Sequence, residues 1–171
     1  MARNVRVDEG RFRFGQNISV GPHLLQADEP SEVGGNDTGP GPFELLLAAL
    51  GACTSITVRM YAERKQWPLD GVHVELSYGQ PHDSDSNGAG RNALEIEMEI
   101  SFAGDLSDAQ RARLLQIANQ CPVHRALTSS IQIRSRMAGE RLLKNAEVEV
   151  STQRALERSD NPVGNELLLI G

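Results

Sequence analysis

Residues 39–68, Gly39-Pro-Gly-Pro-Phe-Glu-Leu-Leu-Leu-Ala-Ala-Leu-Gly-Ala-Cys-Thr-Ser-Ile-Thr-Val-Arg-Met-Tyr-Ala-Glu-Arg-Lys-Gln-Trp-Pro68, govern the reading of this chain. They hold its longest apolar run and one of its two cysteines. Pro42 suits a first helical turn, where the N–H it lacks would be unpaired anyway, and Trp67-Pro68 stops the helix because proline disfavours helical geometry in the residue before it. Between those marks lies a helix of roughly 24 residues, about 36 Å long. From Phe43 to Ala52 it offers almost no polar face, so burial on most sides is expected. Arg59, Glu63, Arg64 and Lys65 wet its far end, and the run falls short of the roughly 18 uninterrupted apolar residues of a membrane span. The reading is a core helix and no membrane partner. Cys53 sits midway, with Leu46, Ala49, Leu50, Ile56, Thr57 and Met60 at helical spacings around it.

Working outward, 171 residues suit one domain with a sizeable core, and with aromatics at only 4% that core must be mainly aliphatic. The formal net charge of −6 and the lack of a clustered cationic stretch argue against nucleic acid as the main partner. The opening Met-Ala-Arg-Asn-Val-Arg lacks the apolar core of a secretory signal, so a cytoplasmic location is expected. Cys53 and Cys121 are too few for a disulfide framework, and in a reducing compartment they would act as thiols.

Ahead of the helix, Val5, Val7, Phe12, Phe14, Ile18 and Val20 alternate with polar neighbours, which predicts strands over 3–8 and 11–20 and a third over 22–28. A turn-rich segment from Glu29 to Gly41 leads into the helix. Behind it, period-two patterning returns at Val72–Tyr78 and Leu94–Phe102, joined by a Gly-, Asp- and Ser-rich loop over Gly79–Arg91. Ser107-Asp-Ala-Gln110 has the form of a capping box and opens a helix to about Gln120. Cys121-Pro122 then starts another, with the cysteine in the cap slot, where the positive end of the helix dipole favours a thiolate. Ile131–Met137 reads as a strand. Beyond it, Val148–Val150 and Leu167–Ile170 are further short strand candidates in an extension over 138–171, following a single domain over 1–137.

Three readings of the cysteines compete. A lone cysteine in a core helix is commonly just a small hydrophobe. Two thiols, one mid-core and one at a helix cap, can instead cycle through sulfenic acid and disulfide. Cys121-x-x-His124 also offers two soft metal ligands, to which Cys53 and one of His23, His73 or His82 would add. Glu44 lies in the first turn of the long helix, favoured there by the dipole; if buried it needs a cation, and Arg11, Arg13 and Arg125 are the candidates. No phosphate-binding glycine loop and no nucleophile elbow is present.

Pro42-Phe-Glu-Leu-Leu-Leu-Ala-Ala-Leu-Gly-Ala-Cys53-Thr, with Val33-Gly-Gly35 before it and Cys121-Pro-Val-His124 after a long gap, resembles the OsmC/Ohr family of osmotically induced and organic hydroperoxide resistance proteins over about residues 10–137. The resemblance implies an α+β fold, a curved antiparallel sheet wrapping a long central helix, in an intertwined homodimer with active sites at the interface. It also implies that Cys53 is attacked by peroxide, that Cys121 resolves it as a disulfide, and that an arginine of the N-terminal strands, Arg11 or Arg13 with Arg13 the candidate adopted, and a glutamate near the helix start, Glu44, hold the reactive thiolate. Peroxidase members place the glutamate ten residues before the cysteine; here Phe43 stands at that position and Glu44 follows, a turn of about 100°. The expectation is a cytoplasmic thiol-dependent peroxidase for organic or fatty hydroperoxides, reset by an external dithiol reductant and needing no cofactor. The alternative is a catalytically weak module that binds a small hydrophobic ligand at its dimer interface.

Overall fold

A computed structural model describes residues 4–79 and 95–137. Its elements run β1 (Val5–Glu9), β2 (Gln16–Val20), β3 (His23–Ala27), a 3-10 turn (Ser31–Val33), α1 (Pro42–Lys65), β4 (Gly71–Gly79), β5 (Glu95–Ala103), α2 (Asp108–Ala118) and α3 (Pro122–Leu127). The class is α+β, with strands in two antiparallel sheets, β1-β2-β3 and β4-β5.

In the first sheet Val7 pairs with Ile18 and Ile18 with Leu25, so an apolar row crosses all three strands. Val20 pairs with His23, leaving the two-residue loop Gly21-Pro22, and Gly21 takes the positive φ of 60° that a tight hairpin demands at its first central position. The strand expected over 11–20 begins only at Gln16. Gly10 N–H donates to Gly15 O at 2.7 Å and Gly15 N–H to Phe12 O at 3.1 Å, and this closed turn overrides the alternation of Phe12 and Phe14. Arg11 and Arg13 therefore sit in a turn, not on a strand.

The segment from β3 to α1 is organised by Asp28, only 2% exposed. Its carboxylate accepts from the backbone N–H groups of Glu29 (2.8 Å), Asn36 (3.1 Å) and Thr38 (3.3 Å) and from the Thr38 hydroxyl (2.8 Å). Burial pushes the carboxyl up, but the Thr38 hydroxyl and the three backbone donors outweigh it and hold the group below its ordinary range.

The 24 residues of α1 span the expected stretch, with Pro42 in the first turn. Gln66 at φ 54° turns the chain out of the helix, and Arg64 and Lys65 complement the C-terminal end of its dipole. Burial of α1 differs from the expectation. Only Leu47, Leu50, Thr54, Val58 and Ala62 are buried, a single stripe at three- and four-residue spacing. Ile56 and Met60 remain 58% and 66% exposed, and Ala48, Ala49 and Ala52 are exposed beside them. The reason is geometric, because β4, α2 and α3 approach α1 from one side. By length and composition alone α1 would suit a membrane span, with mean hydropathy 1.5, yet here it is the helix on which a folded domain is assembled.

β4 and β5 pair in register, Val74 opposite Ile100 and Leu76 opposite Met98, and their outward positions carry Glu75, Glu95, Glu97 and Glu99. The loop expected from Gly79 to Arg91 falls almost wholly outside the described residues, as do His82 and the strand candidates at 148–150 and 167–170. The capping box opens α2 as expected: Ser107 Oγ accepts from Gln110 N–H at 3.3 Å and Gln110 Oε1 accepts from Ser107 N–H at 2.8 Å. The core joins Val58 and Ala62 of α1 to Leu69, Leu106, Leu114 and Ala118, with Tyr61, Trp67, Val72, Ile100 and Phe102 packed around them. It is mainly aliphatic, as the composition requires. Arg111 pins the end of β5 by donating to Phe102 O (2.6 Å) and Gly104 O (3.0 Å), while Arg59 reaches Leu69 O and Asp70 O.

The chain divides into two compact units, 1–131 and 132–171. Of the second, residues 132–137 are described and form no regular element. The strand expected over Ile131–Met137 is thus not formed. Ile131, Ile133 and Met137 are 58%, 84% and 97% exposed, and a strand has no stability without a second backbone to pair with.

Candidate active site

Both cysteines are free thiols in contrasting settings. Cys121 is fully buried in the cap slot of α3, with extended backbone (φ −61°, ψ 145°). Its sulfur accepts two hydrogen bonds at 3.3 Å, one from the His124 backbone N–H and one from the Thr54 hydroxyl. Thr54, itself fully buried, follows Cys53 directly on α1. Cys121 is thereby held against the helical turn that carries Cys53. Cys53 is half-buried, and its carbonyl accepts the Thr57 hydroxyl at 2.7 Å. Side chains one residue apart on a helix diverge by about 100°, so Thr54 and Cys53 face different directions.

Glu44 is exposed, and its carboxylate reaches back to accept the Gly41 N–H at 2.7 Å, capping α1. Within one chain the Glu44 carboxylate is engaged by its own helix end, not by a cation. The Arg13 guanidinium lies 4.8 Å from the centre of the Phe14 ring, and among the described residues no hydrogen bond or ion pair joins it to Cys53 or Glu44. Arg125 is exposed on α3.

Among the described residues the ligands of the metal reading are not assembled, and His82 lies outside them. Among the described residues no three His, Cys, Asp or Glu side chains converge as a metal ion would need, and His23 and His73 are exposed on β3 and β4. His124 Nδ1 is buried without a hydrogen-bond partner among the described residues.

An open, mostly apolar groove of about 600 Å³ runs between α1 and β4, lined by Leu47, Ala48, Gly51, Val74 and Leu76, with Glu44 at one end. Gly51 permits this close approach, since a Cβ there would meet Leu76 Cδ1 at 2.9 Å.

Thr54 and Asp28 escaped the sequence reading. Thr54 had a signal: it is the polar member of the stripe Leu47-Leu50-Thr54-Val58-Ala62, and a hydroxyl on a buried stripe must find a partner. Asp28 had none, because its donors are backbone groups brought together by the loop itself.

The fold and the thiols define a class: an α+β protein built on one long apolar helix that carries a cysteine, with a second cysteine at the start of a short helix packed beside it. The chain belongs to the OsmC-like protein family, whose model matches residues 34–136. Solved structures share the fold. An OsmC-like protein from Mycoplasma pneumoniae superposes with a TM-score of 0.62 at 17% identity, covering 75% of this chain and 89% of that one. The organic hydroperoxide resistance protein OsmC from Legionella pneumophila gives 0.56 at 19%, covering 78% and 94%. A putative organic hydroperoxide resistance protein from Vibrio cholerae, with captopril bound in one of its active sites, gives 0.54 at 22%, covering 77% and 88%. None of the curated proteins compared matches the chain.

Proposed function

We propose that this protein is a cytoplasmic, homodimeric, thiol-dependent peroxidase acting on organic or fatty hydroperoxides. The observation that carries the reading is the placement of Cys121, whose sulfur is hydrogen-bonded to the residue following Cys53. Family membership and neighbours named as organic hydroperoxide resistance proteins support a peroxide-related role.

In the proposed cycle the Cys53 thiolate attacks the terminal peroxide oxygen. The O–O bond breaks, the alkoxide leaves and takes a proton as the alcohol, and Cys53 becomes a sulfenic acid. The Cys121 sulfur then attacks the Cys53 sulfur, the S–O bond breaks, and hydroxide leaves with a proton as water. An external dithiol reduces the resulting disulfide and regenerates both thiols. No cofactor enters this balance. Arg13 and Glu44 are the proposed cation and carboxylate that hold the Cys53 thiolate. In a single chain they face Phe14 and the Gly41 N–H, so their meeting with Cys53 is assigned to a second subunit packed on the exposed face of α1. That face, with Ile56 and Met60 largely uncovered, is the support for the dimer.

Consumption of cumene hydroperoxide with a dithiol reductant tests the reading. Turnover disappears in Cys53→Ser, and Cys121→Ser gives a single burst without sustained turnover. Equal inertness of the wild type and Cys53→Ser would overturn it. The groove between α1 and β4 favours a second reading, a weakly catalytic module that holds a small hydrophobic ligand, for which stoichiometric binding of an apolar fluorescent probe by an inert wild type is the signature.

A further inference from the structure

Helical threonines commonly return their hydroxyl proton to a carbonyl one turn back, as Thr57 does to Cys53 O at 2.7 Å. Thr54, three residues earlier and fully buried, directs its proton across to another element. Its oxygen lies 3.3 Å from Cys121 Sγ and 3.8 Å from Met98 Sδ; with one proton to give, the shorter contact takes it. The other donor to Cys121 Sγ is the His124 backbone N–H, which belongs to the same short helix as the cysteine it caps. Among the described residues Thr54 is thus the one side chain that fixes the sulfur of α3 to α1.

We infer that Thr54 is a positioning residue for Cys121: its hydroxyl holds the Cys121 sulfur against α1, with lone pairs oriented for attack on an electrophilic sulfur, and so sets the rate at which Cys121 forms a disulfide. This rests on the peroxidase reading for its biological role but not for its test. Two donors on one sulfur, one from α1 and one from α3, fix its position. In the cycle the hydroxyl keeps its contact with the Cys121 sulfur through the attack and releases it only after the S–S bond has formed and hydroxide has left Cys53 as water.

The experiment has two arms. In full-length Cys53→Ser protein, Cys121 is treated with methyl methanethiosulfonate, a small electrophile from which the thiolate takes an S-methyl group and expels methanesulfinate. The second-order rate is read by mass spectrometry for Thr54, Thr54→Ser, Thr54→Val and Thr54→Ala. The hydroxyl hypothesis expects Val and Ala to be slowed by about tenfold, the worth of one hydrogen bond of ordinary strength, and Ser to stay within about twofold. A role in packing alone exchanges Val and Ser, with Val normal and Ser and Ala impaired alike, and that result overturns the inference; so does a rate unchanged in all variants. Ser and Ala both lack the methyl group and differ only in the hydroxyl, so their comparison holds even if Val fails to fold.

The second arm uses wild-type cysteines and one equivalent of cumene hydroperoxide. In Thr54→Ala the sulfenic acid trapped by dimedone forms at the wild-type rate, while loss of two hydrogens to the disulfide is slowed by about tenfold. Absence of any sulfenic acid in the wild type refutes the peroxidase reading and leaves the first arm to judge Thr54.

Discussion

Leu114 tests the arrangement that seats Cys121. It is fully buried on α2, inside the cluster formed with Val58, Ala62, Leu69, Leu106 and Ala118, while Leu115, the next residue, is 48% exposed. Leu114→Ala removes the equivalent of three methylene groups, about 2.4 kcal/mol at about 0.8 kcal/mol each. A residual cavity on the order of 60 Å³ adds about 1.4 kcal/mol at about 24 cal/mol per Å³, for about 4 kcal/mol in all. At about 3 °C per kcal/mol for a chain of this size, the melting midpoint falls by about 12 °C. Leu115→Ala, with nearly half its surface already in water, costs about 1 kcal/mol and about 3 °C. Thermal melts followed by circular dichroism measure both. The Cys121 N–H donates to the Ala118 carbonyl at 3.2 Å, so loosening α2 also loosens the thiol's seat. Melting midpoints of the two variants within about 2 °C of each other would refute the assignment of the α2 face and the packing argument built on it.

Three further outcomes are expected. The folded-state carboxyl of Asp28 lies below its ordinary value, so its contribution is present above the unfolded value near 3.8 and is lost as pH falls through the lower folded value. In Asp28→Asn, acid unfolding curves should lose that component, and the Glu29–Gly41 segment should be cleaved faster by protease at neutral pH; unchanged cleavage would count against Asp28 as its organiser. Tyr61 accepts a hydrogen bond from Arg113 Nε at 3.3 Å, and that bond, opposed by burial and aided by the charges of Arg113, Lys65 and Arg64, holds its phenol below the usual value of 10.0. Absorbance at 295 nm should show one tyrosine ionising early, with the Arg113→Gln protein losing that early phase; the stability it lends appears as pH rises through the folded value. Finally, Met60→Glu on the uncovered face of α1 should shift sedimentation from dimer to monomer, since covering Ile56 and Met60 is worth about 1–2 kcal/mol per side chain; a wild type that sediments as a monomer would remove the dimer from the proposal.

The sequence and the structure divide this protein along a physical line. Local chemistry was legible in the sequence: Pro42 and Trp67-Pro68 bound α1, Ser107 with Gln110 opens α2, Cys121-Pro122 opens α3, and period two marks β4 and β5. Each depends on residues a few positions apart, and the two cysteine segments were enough to indicate the family. Contacts closed through space were not legible. Phe12 and Phe14 carried a strand pattern, but the Gly10–Gly15 turn took them out of the sheet; Ile131 and Ile133 alternate correctly, but no described backbone pairs with them. The apolar girth of the first half of α1 promised burial on most sides, whereas packing from one side left Ala48, Ala49 and Ala52 exposed, and Ile56 and Met60 beyond them bare. Above all, only tertiary structure decided that the hydroxyl resting on the Cys121 sulfur belongs to Thr54, because helix rotation and the docking of α3 select which of two adjacent side chains faces a residue 67 positions away.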